Sequence, residues 1–230
     1  MATPTMNRRR LLVSGGAALL LGACTGGRGG LGNLGVPNLA GVLKDLLGIS
    51  SQRAFARLLQ PDGFLNDQLA RLELPGQLKG SNGILSALLQ TPAVQNQLLE
   101  QVNGAAGFAA RAAEPVVDDA ISRLTFADAG RVLRGGPQAA TLVLQGRIGE
   151  SLGAQIVPAA LRGLGVGNSD IVTRVLSSVS GFDIDALASD VGQQASASIF
   201  KAIGREEAAI RENPQSTNNP ALISALTLLG

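Results

Sequence analysis

No stretch of this chain alternates apolar and polar residues with period two over the length of a strand while also carrying β-branched residues. From Asn38 onward the apolar positions recur instead at spacings of three and four, in a background rich in Ala, Leu, Gln and Arg. That period belongs to helices, so the chain is expected to be all-α, an irregular multi-helix bundle. Leu39, Val42, Leu43, Leu46 and Leu47 share one face of a first helix over Asn38–Leu59, continued by Phe55, Leu58 and Leu59, with Gly48 and Ser50-Ser51 as a possible bend. Gln60-Pro61-Asp62-Gly63 ends it, because proline cannot continue a helix and Asp-Gly suits a turn. A second helix is expected after Pro75 to Leu89. Thr91-Pro92 then opens a third to about Ala113, and Pro115 starts a short one to Leu124. Thr125-Phe126-Ala127-Asp128 has capping-box spacing, and its helix runs to Gly135-Gly136. Pro137 opens a long helix towards Leu161, with a kink or break at Pro158. Asn168 caps a helix over Ser169–Val179. Asp183 or Asp185 caps the longest, which ends at Glu212 where Asn213-Pro214 stops it, and a last apolar helix covers Pro220–Leu229. No internal repeat of fixed period is present.

Ahead of this pattern lie Arg8, Arg9 and Arg10, then an apolar run from Leu11 to Ala23 broken only by Ser14 and glycines. A membrane-spanning helix needs about 20 apolar residues, so this run is short for a permanent anchor and suits a signal peptide. It ends in Leu21-Gly22-Ala23-Cys24, which resembles the bacterial lipobox, where small residues admit the peptidase and the cysteine thiol is acylated before cleavage. A buried cysteine acting as a small hydrophobe is the alternative, but a core cysteine has no reason to sit between such a run and a glycine-rich stretch. The expected organisation is a cleaved signal peptide at 1–23, a lipid-bearing Cys24 with a flexible Gly-rich linker at 24–37, and a helical domain at 38–230. The linker would reach roughly 20 Å root-mean-square. Arg8-Arg9 followed by Leu11-Leu12 also resembles a twin-arginine export signal, and an ordinary secretory signal fits equally. Thr25, where Gram-negative inner-membrane lipoproteins carry Asp, implies the outer membrane by resemblance to that sorting pattern. The expected address is the bacterial cell envelope, lipid-anchored and facing the periplasm.

The complete chain carries 19 Lys+Arg against 17 Asp+Glu, a formal charge of +2. Without the three signal arginines the balance is 16 against 17, a charge of −1. A nearly neutral domain has no electrostatic footprint for nucleic acid, so no nucleic-acid partner is expected. The one cysteine is used by lipid, which leaves no intramolecular disulfide, and stability must come from packing. Histidine, Trp and Tyr are absent. That excludes a Ser-His-Asp triad, a Cys-His dyad, a histidine general base and zinc sites built on His or Cys. No cofactor and no transition metal are expected.

At PDGFLN (Pro61–Asn66) the chain resembles the bacterial family catalogued as domain of unknown function 4197, whose members have a Pro-Asp-Gly-Phe/Tyr-x-Asn turn near the start. The likeness continues in order through LPGQL (Leu74–Leu78), VNGAAGFAARAAEP (Val102–Pro115), LTFADAGRVLRGGPQAAT (Leu124–Thr141), GFDIDAL (Gly181–Leu187) and FKAIGREEAAIRENP (Phe200–Pro214). It departs at Asn103-Gly104-Ala105-Ala106, which lacks the family's Arg and Glu, and at Ser216-Thr217-Asn218-Asn219, where the family has Arg-Thr-Thr. The resemblance implies an exported helical protein and supplies no activity.

The densest charged cluster is Glu206-Glu207 with Arg211. It reads either as a carboxylate site, joined by Asp128 or Asp118-Asp119 as in di-metal bundles, or as a solvated helix face held by the Glu207–Arg211 i,i+4 pair; the second reading is preferred. Asp62-Gly63 reads as a structural turn ahead of a ligand-binding loop, and Asp183 and Asp185 as caps. Gly135-Gly136 lacks the phosphate-loop pattern. Asp62, Gly63, Asn66, Asp128, Glu206, Glu207, Arg211 and Asn213 form a candidate interaction patch, if turns and helix ends gather at one end of the bundle. Two function classes follow: a non-catalytic envelope lipoprotein that is structural, contacts an envelope protein or holds an apolar small molecule, and a periplasmic hydrolase or transferase working with carboxylates alone.

Overall fold

Asn38 opens the first helix, its side-chain oxygen accepting the Gly41 amide at 3.1 Å. The helix, α1 (Leu39–Leu58), buries Val42, Leu43, Leu46, Leu47, Phe55 and Leu58, the stripe expected from spacing, and runs through Ser50-Ser51 without ending. A computed structural model of the chain describes residues 38–75, 91–125, 127, 129–165 and 183–229. The signal and linker segments with Cys24, the helices expected after Pro75 and over Ser169–Val179, and Phe126 and Asp128 lie outside the described residues. Among the described residues there are six α-helices and no strand. After α1 come α2 (Pro92–Arg123), α3 (Ala129–Leu133), α4 (Ala139–Gly165), α5 (Ile184–Glu212) and α6 (Pro220–Leu229), with a 3₁₀ turn at Pro214–Thr217 before the last.

Two expected boundaries are absent. α2 runs unbroken through Pro115, and α4 through Pro158, so among the described residues α2 at 32 residues is the longest helix and α5 at 29 comes second. A proline inside a helix loses one backbone hydrogen bond and costs about 3 kcal/mol in isolation. Both prolines point to solvent, while Ala113 and Val117 beside the first, and Ile156, Ala159 and Ala160 beside the second, are buried. The burial of the flanking turns outweighs the local cost. Thr91 precedes α2 as foreseen, but its side chain makes no cap bond and Pro92 starts the helix by itself. Asp183 does cap α5, accepting from Asp185 and Ala186, each at 3.0 Å. Asp185 falls in the first turn, where a carboxylate favours the helix dipole.

The four long helices form the core. α4 packs most extensively, lying against α2 on one side and α5 on the other, and α1 closes the group against α5 and α2. α3 and α6 pack on α1. The core is built from small and medium side chains, with Ala105, Ala106, Ala109, Ala110 and Ala113 all at zero exposure along α2. Such side chains let helix axes approach closely. At Gly163 a Cβ would sit 2.6 Å from the Ala105 Cα of α2, so only glycine fits that crossing.

Candidate functional site

The C-terminal third of α5 carries the charged cluster singled out by sequence, and the structure departs from both readings of it. Glu207 is fully buried rather than solvated. Its Oε1 accepts the Ala140 amide at 3.0 Å, and its Oε2 accepts the Thr141 amide at 2.7 Å and the Thr141 hydroxyl at 2.6 Å. These two amides open α4, so the carboxylate satisfies donors that a helix start leaves without partners, at the positive end of its dipole. Arg211, one turn on, donates from Nε to Glu207 Oε1 at 2.8 Å. Its two Nη atoms donate to the carbonyls of Leu133 (2.6 Å) and Val132 (3.2 Å) at the end of α3. One ion pair on α5 therefore holds the end of α3 and the start of α4. Asp118 and Asp119 do not join it. Both lie exposed on α2, and Asp119 pairs with Arg123 at 2.8 Å.

Glu206 and Arg205 turn the other way, towards the segment after α1. Arg57 reaches Glu206 at 2.8 Å. Arg205 makes a two-pronged contact with Asp67, Nη1 to Oδ1 at 2.9 Å and Nη2 to Oδ2 at 2.6 Å. Asp67 Oδ1 also accepts the amides of Leu69 and Ala70 at 3.0 and 3.3 Å. The hydrogen bond from Arg205 holds the Asp67 carboxyl below its ordinary range, against the opposing effect of burial. The same contact raises Arg205 above its ordinary value. Sequence reading passed over Asp67, Arg205 and Arg57. The available signal was local: Asp67 followed by two amides it can accept is an Asx-type turn.

Between α1 and Asp67 lies the PDGFLN turn. Asp62 adopts φ +55°, the left-handed region. A Cβ on Gly63 would meet the Leu58 and Arg57 carbonyl oxygens at 2.4 and 2.6 Å, so the chain doubles back too tightly for any side chain there. The Gly63 amide donates to Gln60 O and the Asn66 amide to Asp62 O, each at 2.9 Å. Those amides close the turn on itself, as the structural reading of Asp62-Gly63 expects. Phe64 anchors the turn in the core, while Asp62 and Asn66 face solvent. Asn213 ends α5 with its amide on Ala209 O at 3.0 Å, its side chain exposed.

Of the candidate patch, the structure thus brings the segment following the turn to the Arg205–Glu206 face of α5, and ties Glu207 and Arg211 to α3 and α4. Asp128 lies outside the described residues. Two hollows flank the turn. One, of about 400 Å³, lies between the turn and a face of α2 that includes Gly104, Gly107, Phe108 and Arg111. The other, of about 590 Å³, lies beside Arg57, Asn66, Asp67, Leu69 and Arg205. Asn103 braces the first: it accepts the Leu72 amide at 2.8 Å and donates to Leu72 O and Leu99 O at 3.2 and 2.8 Å, pinning the segment after the turn onto α2.

Among the described residues no group of three or more Asp, Glu, Cys or His side chains is placed to hold a metal ion. Among them, too, no helix is long and apolar enough to cross a membrane. No curated protein and no solved structure matches the chain. A family model does, that of a protein of unknown function (DUF4197), over residues 33–226. That span takes in the PDGFLN turn, the start of α4 and the charged end of α5, so the chain belongs to the DUF4197 family.

Proposed function

We propose that this chain is a bacterial envelope lipoprotein whose helical domain is a non-catalytic binding module, held at a membrane by lipid on Cys24. The observation that carries the non-catalytic reading is the commitment of the charged cluster. Glu207 holds two helix amides, a hydroxyl and a guanidinium, Glu206 holds Arg57, and Asp67 holds Arg205. Carboxylate chemistry needs groups free to exchange a proton or to take a ligand. These three are occupied by partners that keep the fold together. The hollows beside the PDGFLN turn are open and lined by both apolar and polar side chains, as suits binding. The anchoring half of the proposal rests on Leu21-Gly22-Ala23-Cys24 and on the glycine-rich stretch after it, which would give the domain reach from the membrane.

The test is metabolic labelling with an alkyne fatty acid, followed by fractionation of cells expressing the chain and its Cys24→Ala variant. The parent is expected to label and to sediment with membranes, and the variant to do neither. A variant that still sediments like the parent would show that lipid is not the anchor.

A further inference from the structure

The hollow between the PDGFLN turn and α2 has three properties that select a ligand. Its floor is glycine. Gly104 and Gly107 sit inside a long helix, where each costs about 1 kcal/mol relative to alanine. Unlike Gly63 and Gly163, neither is required by packing, since a Cβ there would meet nothing within 4 Å. A helix face stripped of side chains lets another backbone lie close against it. Its flanks are apolar, with Leu59 and Leu65 half-buried on the turn side and Phe108 37% exposed on the helix side.

Its charges are a pair of opposite sign. Arg111 lies over the Phe108 ring, 5.7 Å from the centroid, and makes no ion pair among the described residues. Asp62 lies exposed on the turn wall, and its carboxylate likewise makes no ion pair among the described residues. Beside the neighbouring hollow, by contrast, Arg57 is joined to Glu206 and Arg205 to Asp67. Among the described residues, Asp62 and Arg111 are the charged side chains that line the hollow. A simple anion would meet Asp62, and a simple cation would meet Arg111. A ligand carrying both charges satisfies both.

We propose that this hollow binds a short apolar oligopeptide with free termini, its α-carboxylate on Arg111, its α-ammonium on Asp62, its backbone over Gly104 and Gly107, and an aliphatic side chain against Leu65 and Phe108. The inference rests on the reading of the domain as a binding module and gives that module its ligand. A volume of about 400 Å³ lies within the range of small-ligand sites.

The probe is the tripeptide Ala-Leu-Ala, titrated by calorimetry into the full chain carrying Cys24→Ala, so that lipid plays no part. The expected result is saturable binding that weakens about tenfold or more when either terminus is blocked, by acetylation or amidation, the loss expected for one charge-assisted hydrogen bond. Arg111→Gln should lose sensitivity to C-terminal amidation. Asp62→Asn, which keeps a residue tolerant of the left-handed backbone, should lose sensitivity to N-terminal acetylation. Gly107→Leu should abolish binding with a melting temperature no lower than the parent's, since its Cβ enters open space on a helix that glycine weakens. Equal binding of free and doubly blocked peptides would overturn the proposal. So would laurate binding that Arg111→Gln removes while Ala-Leu-Ala does not bind, a result that leaves a binding module standing with an anionic lipid as its ligand. No heat with either probe would remove the hollow as a site for either class.

Discussion

Replacing Glu207 by glutamine tests the central feature of the fold with the least change of shape. In the parent, four donors converge on this carboxylate: the Ala140 and Thr141 amides, the Thr141 hydroxyl and Arg211 Nε, at 2.6 to 3.0 Å. Two of them meet each oxygen, Ala140 and Arg211 at Oε1 and the Thr141 amide and hydroxyl at Oε2, and glutamine must place an NH₂ at one of these positions. Whichever way the amide turns, a donor faces a donor, either Arg211 or Thr141. Hydrogen bonds to a charged acceptor contribute about 1.5 to 3 kcal/mol each, and breaking one member of a buried pair costs about 3 to 5 kcal/mol. Arg211 is only 11% exposed and keeps its two carbonyl contacts, so the lower end applies, about 3 kcal/mol. Against a total of about 5 to 15 kcal/mol that is a large fraction. With a urea dependence of about 2 kcal/mol per molar, the unfolding midpoint followed by far-UV circular dichroism should fall by about 1.5 M. Glu212→Gln, one residue past Arg211 and exposed, is the control and should move it by less than about 0.3 M. If Glu207→Gln unfolds with the same midpoint as the control, the carboxylate does not hold α3 and α4 together and the account of the cluster fails.

Three further outcomes follow from the same geometry. Asp67 has a folded-state carboxyl pKa below its unfolded value, so its pairing with Arg205 stabilises the protein above about pH 4, and that contribution is lost as pH falls through the folded value. Urea midpoints measured from pH 6 down to pH 2 should therefore fall less steeply in Asp67→Asn than in the parent, and parallel profiles would contradict the pairing. Gly104→Ala should raise stability by up to about 1 kcal/mol, because its Cβ enters open space on a helix. Gly163→Ala should lower it by about 1 to 3 kcal/mol, because its Cβ would press on Ala105 at 2.6 Å; thermal melts that rank the two the other way would refute the packing argument.

The parts of the fold legible in sequence are those decided within a few residues. α1, α5 and α6 begin and end close to where Asn38, Asp183, Asn213 and Pro220 place them, because caps and stops act locally. Pro115 and Pro158 misled for the complementary reason. Whether a proline ends a helix depends on what the neighbouring turns bury, and that is decided by α2, α4 and α5 together. Glu207 was visible in one respect. It lies four residues after Ile203 and three before Ile210, both fully buried, so it stands on the apolar stripe of α5 and not on a polar face. Reading the carboxylate with its i,i+4 arginine pointed outward; reading it with its apolar neighbours would have pointed inward. Its partners, the amides of Ala140 and Thr141, leave no trace in composition or spacing.

The ties made by α5 also set an order of events. Arg205 meets Asp67 across 138 positions of chain, Arg211 meets Leu133 across 78, and Glu207 meets Thr141 across 66. A ribosome delivers Asp67, Leu133 and Thr141 long before their partners. Contacts between such distant positions must await closure of large loops, which slows folding and leaves earlier segments waiting. Until residue 211 is free of the ribosome, the end of α3 and the start of α4 lack the two side chains that serve their backbone groups in the folded protein, and water serves them instead. The chain therefore reaches its native form from its last quarter inward, and a nascent chain stopped short of α5 should remain open to protease along α3 and α4.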